Sequence, residues 1–295
     1  MRPLIPIRPV HPVPHPARPP LSRRVAWRLA AALLVAAAAL AGAPVAHAQP
    51  VDDPGAADPG DPYKSLPWVD MRREFLGAGA RTVFDARVKV VGPAFAEDPM
   101  NVPISVSAPA LQGVERIVVM VDRNPIRKVL ELQPLGALPS VSFRFKLEQA
   151  SPVRAAVLTR DGLWHIGSTW VDSSGGGCTV SGATRKDGSW SQTLGVVSGR
   201  MFDASPMPGA LDSGARLRLR IMHPMDTGLV NGIPAFHLTR FSVRDGQGAE
   251  LLRIQTFEPV SENPVFSFDF PVRPQPPLRI SGVDNNGNRI DSKIE

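Results

Sequence analysis

Apolar and polar residues alternate one for one through most of this chain, and that rhythm belongs to β-strands. In "SVSFRFKL", Ser140 to Leu147, the residues Val141, Phe143, Phe145 and Leu147 fall on one side, with Ser142, Arg144 and Lys146 on the other. Successive side chains of a strand point to opposite faces, so this pattern buries one face and leaves the other wet. "ARLRLRIM" sets Leu217, Leu219 and Ile221 against arginines in the same way, and "TVFDARVKVV" places Phe84, Ala86, Val88 and Val90 on one face. "ERIVVMVD", "IRKVLEL", "SPVRAAVLTRDG" and "LWHIGSTWV" complete a first series, while "IPAFHLTRFSVRDG", "AELLRIQTF", "PVFSFDFPV" and "PLRISGVDNNG" complete a second. Turn-forming residues separate them, among them "DRNP", Pro139 and Asp161-Gly162. Many short strands at this spacing predict an all-β fold of antiparallel sandwich type.

Between the two series lies "DSSGGGCTVSGATRKDGSW", residues 172–190, whose Gly, Ser and Thr content reads as a linker. The spans it separates, 66–171 and 191–295, are nearly equal in length. Two β-sandwiches in tandem, packed together through an apolar interface, are the simplest architecture, and a single large sandwich is the alternative. Ahead of them, residues 49–65 are Pro, Gly and Asp with almost nothing apolar, the composition of a flexible spacer. "LPWVDMRREFLG" follows, with Pro67 early, Trp68, Met71, Phe75 and Leu76 to one side and Gly77 as a stop, which predicts one short helix.

A formal charge of +6 invites a nucleic-acid reading, but the charge is local. Arg2, Arg8, Arg18, Arg23, Arg24 and Arg28 stand in residues 1–48 without a single acid, and they are the whole excess: the other 27 basic residues match 27 acidic ones. No broad positive field remains to collect phosphates. Residues 1–48 instead read as an export signal, with "SRRVAWRLA" as its charged part, "AALLVAAAALAGAP" as its apolar core and "AHA", Ala46 to Ala48, as its cleavage site. Arg23-Arg24 fits a twin-arginine signal as well as ordinary secretion, and an uncleaved membrane anchor is the bland alternative. No later stretch is apolar long enough to span a bilayer. The mature chain is expected in the periplasm, and with one cysteine it has no internal disulfide to stabilise it there.

Signatures of common enzymes are missing: no G-x-S-x-G elbow, no phosphate loop and no dinucleotide fingerprint. His165, His223 and His237 lie at no metal-ligand spacing to one another or to Cys178, so neither a metal site nor a cofactor is expected. Two segments stand out. In "GGGC", Gly175, Gly176 and Gly177 run into Cys178. A lone cysteine is usually an inert buried hydrophobe, but these neighbours offer no apolar pocket. They predict an exposed, functional thiol on a flexible arm, open to a bulky partner. A thiol enzyme would need a base within reach, and residues 170–190 supply none; only His165, His223 or His237 folding back could. The other segment is "RIMHPMDTG", Arg220 to Gly228, where His223-Pro224 ends a strand and Asp226-Thr227-Gly228 makes a turn.

At these two segments the chain resembles a known pair of proteins. "HPMDTG" with "IPAFHLTRF" is similar to the strand–turn–strand of SoxZ, and residues 66–182, from "W…MRREFLG" to "GGGC", are similar to SoxY. The whole resembles the fused SoxYZ-like carriers described as quinoprotein dehydrogenase-associated. That resemblance implies two immunoglobulin-like β-sandwiches packed as a fused heterodimer, and no enzymatic activity of its own. It implies that Cys178 carries sulfur intermediates of thiosulfate oxidation covalently, with Gly175 to Gly177 giving the arm its freedom. His223, Met225 and Asp226 inherit a structural or docking role. The implied partners are periplasmic Sox-type enzymes and cytochromes, or a pyrroloquinoline-quinone dehydrogenase system to which the chain is an accessory.

Overall fold

The structure is a computed structural model that describes residues 60–203 and 214–295; the export signal expected over 1–48 and most of the 49–65 spacer lie outside the described residues. The first run of strands is β1 (Arg81–Phe84), β2 (Lys89–Val91), β3 (Phe95–Ala96), β4 (Val102–Ser107), β5 (Val114–Val121), β6 (Lys128–Gln133), β7 (Ser140–Phe145), β8 (Ser151–Thr159) and β9 (Leu163–Ser173). The second is β10 (Val197–Asp203), β11 (Ala215–Ile221), β12 (Leu238–Arg244), β13 (Glu250–Thr256), β14 (Val265–Phe270), β15 (Leu278–Asp284) and β16 (Arg289–Ile294). Helices are short: α1 (Leu66–Met71), continued by a π-helical turn over Arg72–Leu76, then α2 (Ala183–Asp187) and α3 (Trp190–Thr193).

The strands form two layers. One sheet runs β1-β9-β8-β5-β6-β13-β12-β15-β16, with β3 beside β9, and the other runs β10-β11-β14-β7-β4-β2. Each series keeps its own block of neighbours, and the blocks meet edge to edge. In the larger sheet β6 pairs with β13, Leu132 opposite Ile254; in the smaller β7 meets β14 at Ser142 opposite Ser267. Pairing there satisfies backbone groups that would otherwise be exposed sheet edges. Pairing is antiparallel except at β9, which takes both β1 and β3 in parallel.

Alternation explains the core directly. Val141, Phe143 and Phe145 of β7 turn inward to meet Phe266, Phe268 and Phe270 of β14 and Leu217, Leu219 and Ile221 of β11, all buried in one cluster that both series share. Each such side chain contributes about 1.5–3 kcal/mol relative to exposure. A second cluster lies where α1 covers the opposite face of the larger sheet, with Trp68 and Met71 packed on Met120, Ala156, Trp164 and Ile166.

Three expectations need correcting. Residues 82–91 are not one strand: Asp85 accepts hydrogen bonds from the Arg87 amide and guanidinium, and its carbonyl accepts from the Val88 amide, so the chain turns between β1 and β2. The end of the 49–65 spacer is fixed rather than flexible. Asp61 and Asp122 both grip the buried guanidinium of Arg154, at 2.7 Å each, and Trp68 lies under it with its ring centroid at 4.7 Å. An acidic residue that reads as solvated spacer thus becomes half of the neutralisation of a buried cation. Finally, residues 172–190 are not a bare linker, because β9 runs on to Ser173 and α2 lies within the segment.

Candidate functional site

The site is assembled where β7 ends. Alternation continues one step beyond the strand, which puts Lys146 on the same side as Ser142 and Arg144 and therefore outside the core. That outer position is not open, because the glycine arm lies across it. Leu147 and Glu148 offer their carbonyls to the amides of Gly177 and Gly176, at 3.2 and 3.1 Å, and the Leu147 amide donates to the Pro99 carbonyl at 2.7 Å. The Glu148 carboxylate accepts from the Cys178 amide at 2.8 Å and from the Thr179 hydroxyl at 3.0 Å.

The glycines therefore serve close packing, not only freedom of movement. Gly175 and Gly176 have φ of +92° and +84°, which L-residues with a Cβ adopt only with strain. A Cβ on Gly177 would stand 2.3 Å from the Pro99 carbonyl oxygen and 2.6 Å from the Leu147 backbone. The expectation of an exposed thiol is overturned: Cys178 is fully buried, with Sγ 3.7 Å from the Lys146 carbonyl oxygen. Its polar partners, Lys146, Glu148 and Thr227, lie 30 or more positions away in the chain, which is why the local sequence pointed the wrong way. Burial pushes the thiol up to about 12; the nearby Glu148 carboxylate adds to the shift and the Lys146 ammonium opposes it. A thiol in this state is a poor nucleophile.

The second singled-out segment closes the site from the other side. Thr227 donates its hydroxyl to the Cys178 carbonyl at 2.6 Å. Lys146 donates its ammonium to the Met225 carbonyl, and burial lowers its pKa to about 8 against the attraction of Cys178, Asp226, Glu262 and Glu258. Met225 holds a left-handed backbone, φ +51°, that turns its carbonyl toward the lysine. The two stretches picked from the sequence thus meet around a lysine that belongs to neither.

Residues 72–178 match the family of sulfur oxidation protein SoxY, and residues 208–295 match the family of sulphur oxidation protein SoxZ. The chain belongs to the SoxYZ-like fusions. The SoxY match ends on Cys178 itself. Among solved structures, the chain is similar to the sulfur carrier protein SoxY from Chlorobium limicola f thiosulfatophilum, at 20% identity over 36% of this chain and 94% of that one, with a TM-score of 0.30. It is also similar to a promiscuous carbohydrate-binding module of the β-sandwich superfamily, at 11% identity over 70% of this chain and 97% of that one, with a TM-score of 0.21. No curated protein sequence matches it.

In the SoxZ half, His223, Met225 and Asp226 are all buried and each has a structural task. The His223 Nδ1 accepts the Met225 amide at 3.1 Å, which leaves the ring proton on Nε2, 3.5 Å from the Asp284 carboxylate. Burial lowers this histidine to about 4, with the Asp284 carboxylate pulling the other way. Asp226 pairs with Arg185 at 2.6 Å, and Arg185 stacks over Trp190 at 4.1 Å. Glu262 accepts the amides of Ala183 and Thr184 at 2.8 and 2.7 Å, fixing the start of α2. The arm is thus pinned to the SoxZ half on its far side too. His165 is elsewhere, on β9, bonded to Asp85 at 2.8 Å.

The polar partner of the Cys178 thiol is a backbone carbonyl, not an imidazole, and among the described residues no group of three His, Cys, Asp or Glu could hold a metal ion. Glu148, Arg185 and Glu262 carry no sequence signal of their own, and Lys146 reads there only as an outer-face residue of an alternating strand. The one available signal was a lysine followed by a glutamate just past the end of a strongly alternating strand. Among the described residues no helix is long and apolar enough to cross a membrane.

Proposed function

We propose that this SoxYZ-like fusion is a non-enzymatic periplasmic carrier, exported by cleavage after Ala48, in which Cys178 holds a sulfur-containing intermediate covalently and presents it to Sox-type enzymes. The supporting observation is that Cys178, the last residue of the SoxY match, is seated without a covalent tie, its amide on Glu148 of its own half and its carbonyl on Thr227 of the SoxZ half. Such a seat is reversible: the docked thiol is shielded, and the undocked thiol enters a partner. Loading with a thiosulfate-class anion forms one S–S bond, RSH + S2O3²⁻ → RS–S2O3⁻ + H⁺ + 2e⁻. The two electrons pass to a cytochrome-type partner. The fused halves act as a heterodimer in one chain.

Intact mass of protein purified from native periplasm without reductant tests the loading. A thiol-reversible adduct on Cys178 is expected, absent in Cys178→Ser. A second reading, an accessory protein of a quinoprotein dehydrogenase whose surfaces matter more than its thiol, draws on the complete burial of Cys178. Wild-type substrate oxidation by Cys178→Ser cells would establish that reading and remove the carrier.

A further inference from the structure

The solvent face of the six-stranded sheet carries a concentration of positive charge that no part of the buried site uses. Arg216, Arg218 and Arg220 alternate along β11 and point to the same side, with Arg218 and Arg220 exposed. On β10, Arg200 stands directly opposite Arg218. Directly opposed side chains have Cβ atoms about 4.5–5.5 Å apart, and like charges there destabilise a sheet. Arg144 of β7 adds a further cation across β14. Asp269 answers Arg216 at 2.7 Å, but among the described residues no acidic one lines the two grooves of this face, the larger of about 560 Å³. Beyond the placement of Arg200 over Phe202, 5.2 Å from the ring centroid, the isolated chain gains little from this arrangement.

We infer that this face is a docking surface for a partner protein that presents a carboxylate-rich patch. Three features favour a protein over a free anion. Among the described residues the polar side chains that line the grooves are arginines and serines, none of them buried to hold an ion. Phe202 and Val91 stand exposed beside the arginines, at 40% and 64%, and arginine with aromatic residues is the composition of interface hot spots. The overall charge outside residues 1–48 is zero, so this patch is a local pole that would orient an acidic partner rather than attract acids at large. The placement is also useful. Arg144 and Lys146 lie on the same side of β7, about 7 Å apart by strand geometry, and Lys146 lies under the arm. A protein seated on the arginines faces the seat of Cys178.

The test uses the mature protein carrying Cys178→Ser, so that the thiol plays no part. Binding of a fluorescein-labelled oligo-glutamate peptide is followed by anisotropy at low and at physiological ionic strength. The protein is expected to bind with marked salt dependence, and Arg200→Gln/Arg218→Gln/Arg220→Gln to bind at least about tenfold more weakly. Arg240→Gln/Arg279→Gln, on the other sheet, should bind as the parent does. Circular dichroism confirms that each variant is folded; Arg200→Lys/Arg218→Lys/Arg220→Lys, which keeps the charge, should restore most of the binding. Equal binding by the glutamine variant, or no binding by the parent, overturns the inference and leaves the carrier reading untouched. Inorganic sulfate binding to this face in place of the peptide, or tighter binding to phosphatidylglycerol vesicles, overturns it in favour of an anion or a membrane.

Discussion

Modification of Cys178 should be slow, and it should be governed by release of the arm. The docked thiol sits near 12 against an ordinary 9.0. At pH 8 about one docked thiol in ten thousand is ionised, against about one in ten when free, a ratio of roughly 10³ before any steric shielding. Through the docked state alone, iodoacetamide should therefore react about 1000-fold more slowly than with the unfolded chain, and any faster reaction reports the fraction of arm that is released. The pH profile separates the two routes. If the reacting species is the undocked arm, the rate levels off above 9 by the logarithm of the docking constant, so a weakly docked arm levels off well short of 12. Glu148→Ala removes the acceptor of both the Cys178 amide and the Thr179 hydroxyl. The first bond is part-buried and the second exposed, so we assign about 1.4 kcal/mol to the two together, and their loss should speed modification roughly tenfold. Wild-type protein that reacts at the rate of a free thiol, or an unchanged rate in Glu148→Ala, would refute the docked-arm argument.

Gly177→Ala drives a methyl group into the Pro99 and Leu147 backbone; modification should become fast while the melting temperature barely moves, whereas a glycine needed only for flexibility would leave the rate unchanged. Arg154→Ala strands Asp61 and Asp122 without their cation and should cost about 3–5 kcal/mol in denaturant unfolding, with residues 60–76 becoming protease-sensitive. His223 is held near 4 in the folded chain, below its ordinary 6.5, so between those values the unfolded chain binds the extra proton. Its contribution is complete above pH 6.5 and is lost as the pH falls toward 4, a change of at most about 3 kcal/mol. Urea midpoints of wild type and His223→Gln across that window should diverge, the variant showing the flatter slope.

Strand-by-strand reading worked wherever one face was wet and one buried, as along β7 and β11. It failed where tertiary contacts overrode local composition. Asp61 looked like solvated spacer because Arg154, its partner, lies 93 positions away. Cys178 looked exposed because its immediate neighbours are glycines, while its cover is drawn from Lys146 and Thr227. The "HPMDTG" turn was legible as a feature, and its family resemblance placed it in a docking role. That it reaches the arm through a lysine 79 residues earlier was not, since periodicity reports which face a residue occupies and not what lies on that face.

The arm is anchored twice, by the end of β9 at Ser173 and by the start of α2 at Ala183. Cys178 stands midway, five residues from either anchor. A fully stretched chain of that length reaches about 17 Å, and it travels out and back side by side. A single-ended tail could thread a narrow tunnel; this doubled chain needs an opening at least two backbones wide and a reactive centre within that radius. On the carrier function proposed above, the enzymes that load Cys178 should therefore present slots near their surface, and a partner whose chemistry lies at the bottom of a deep, narrow channel is excluded by the geometry of the leash.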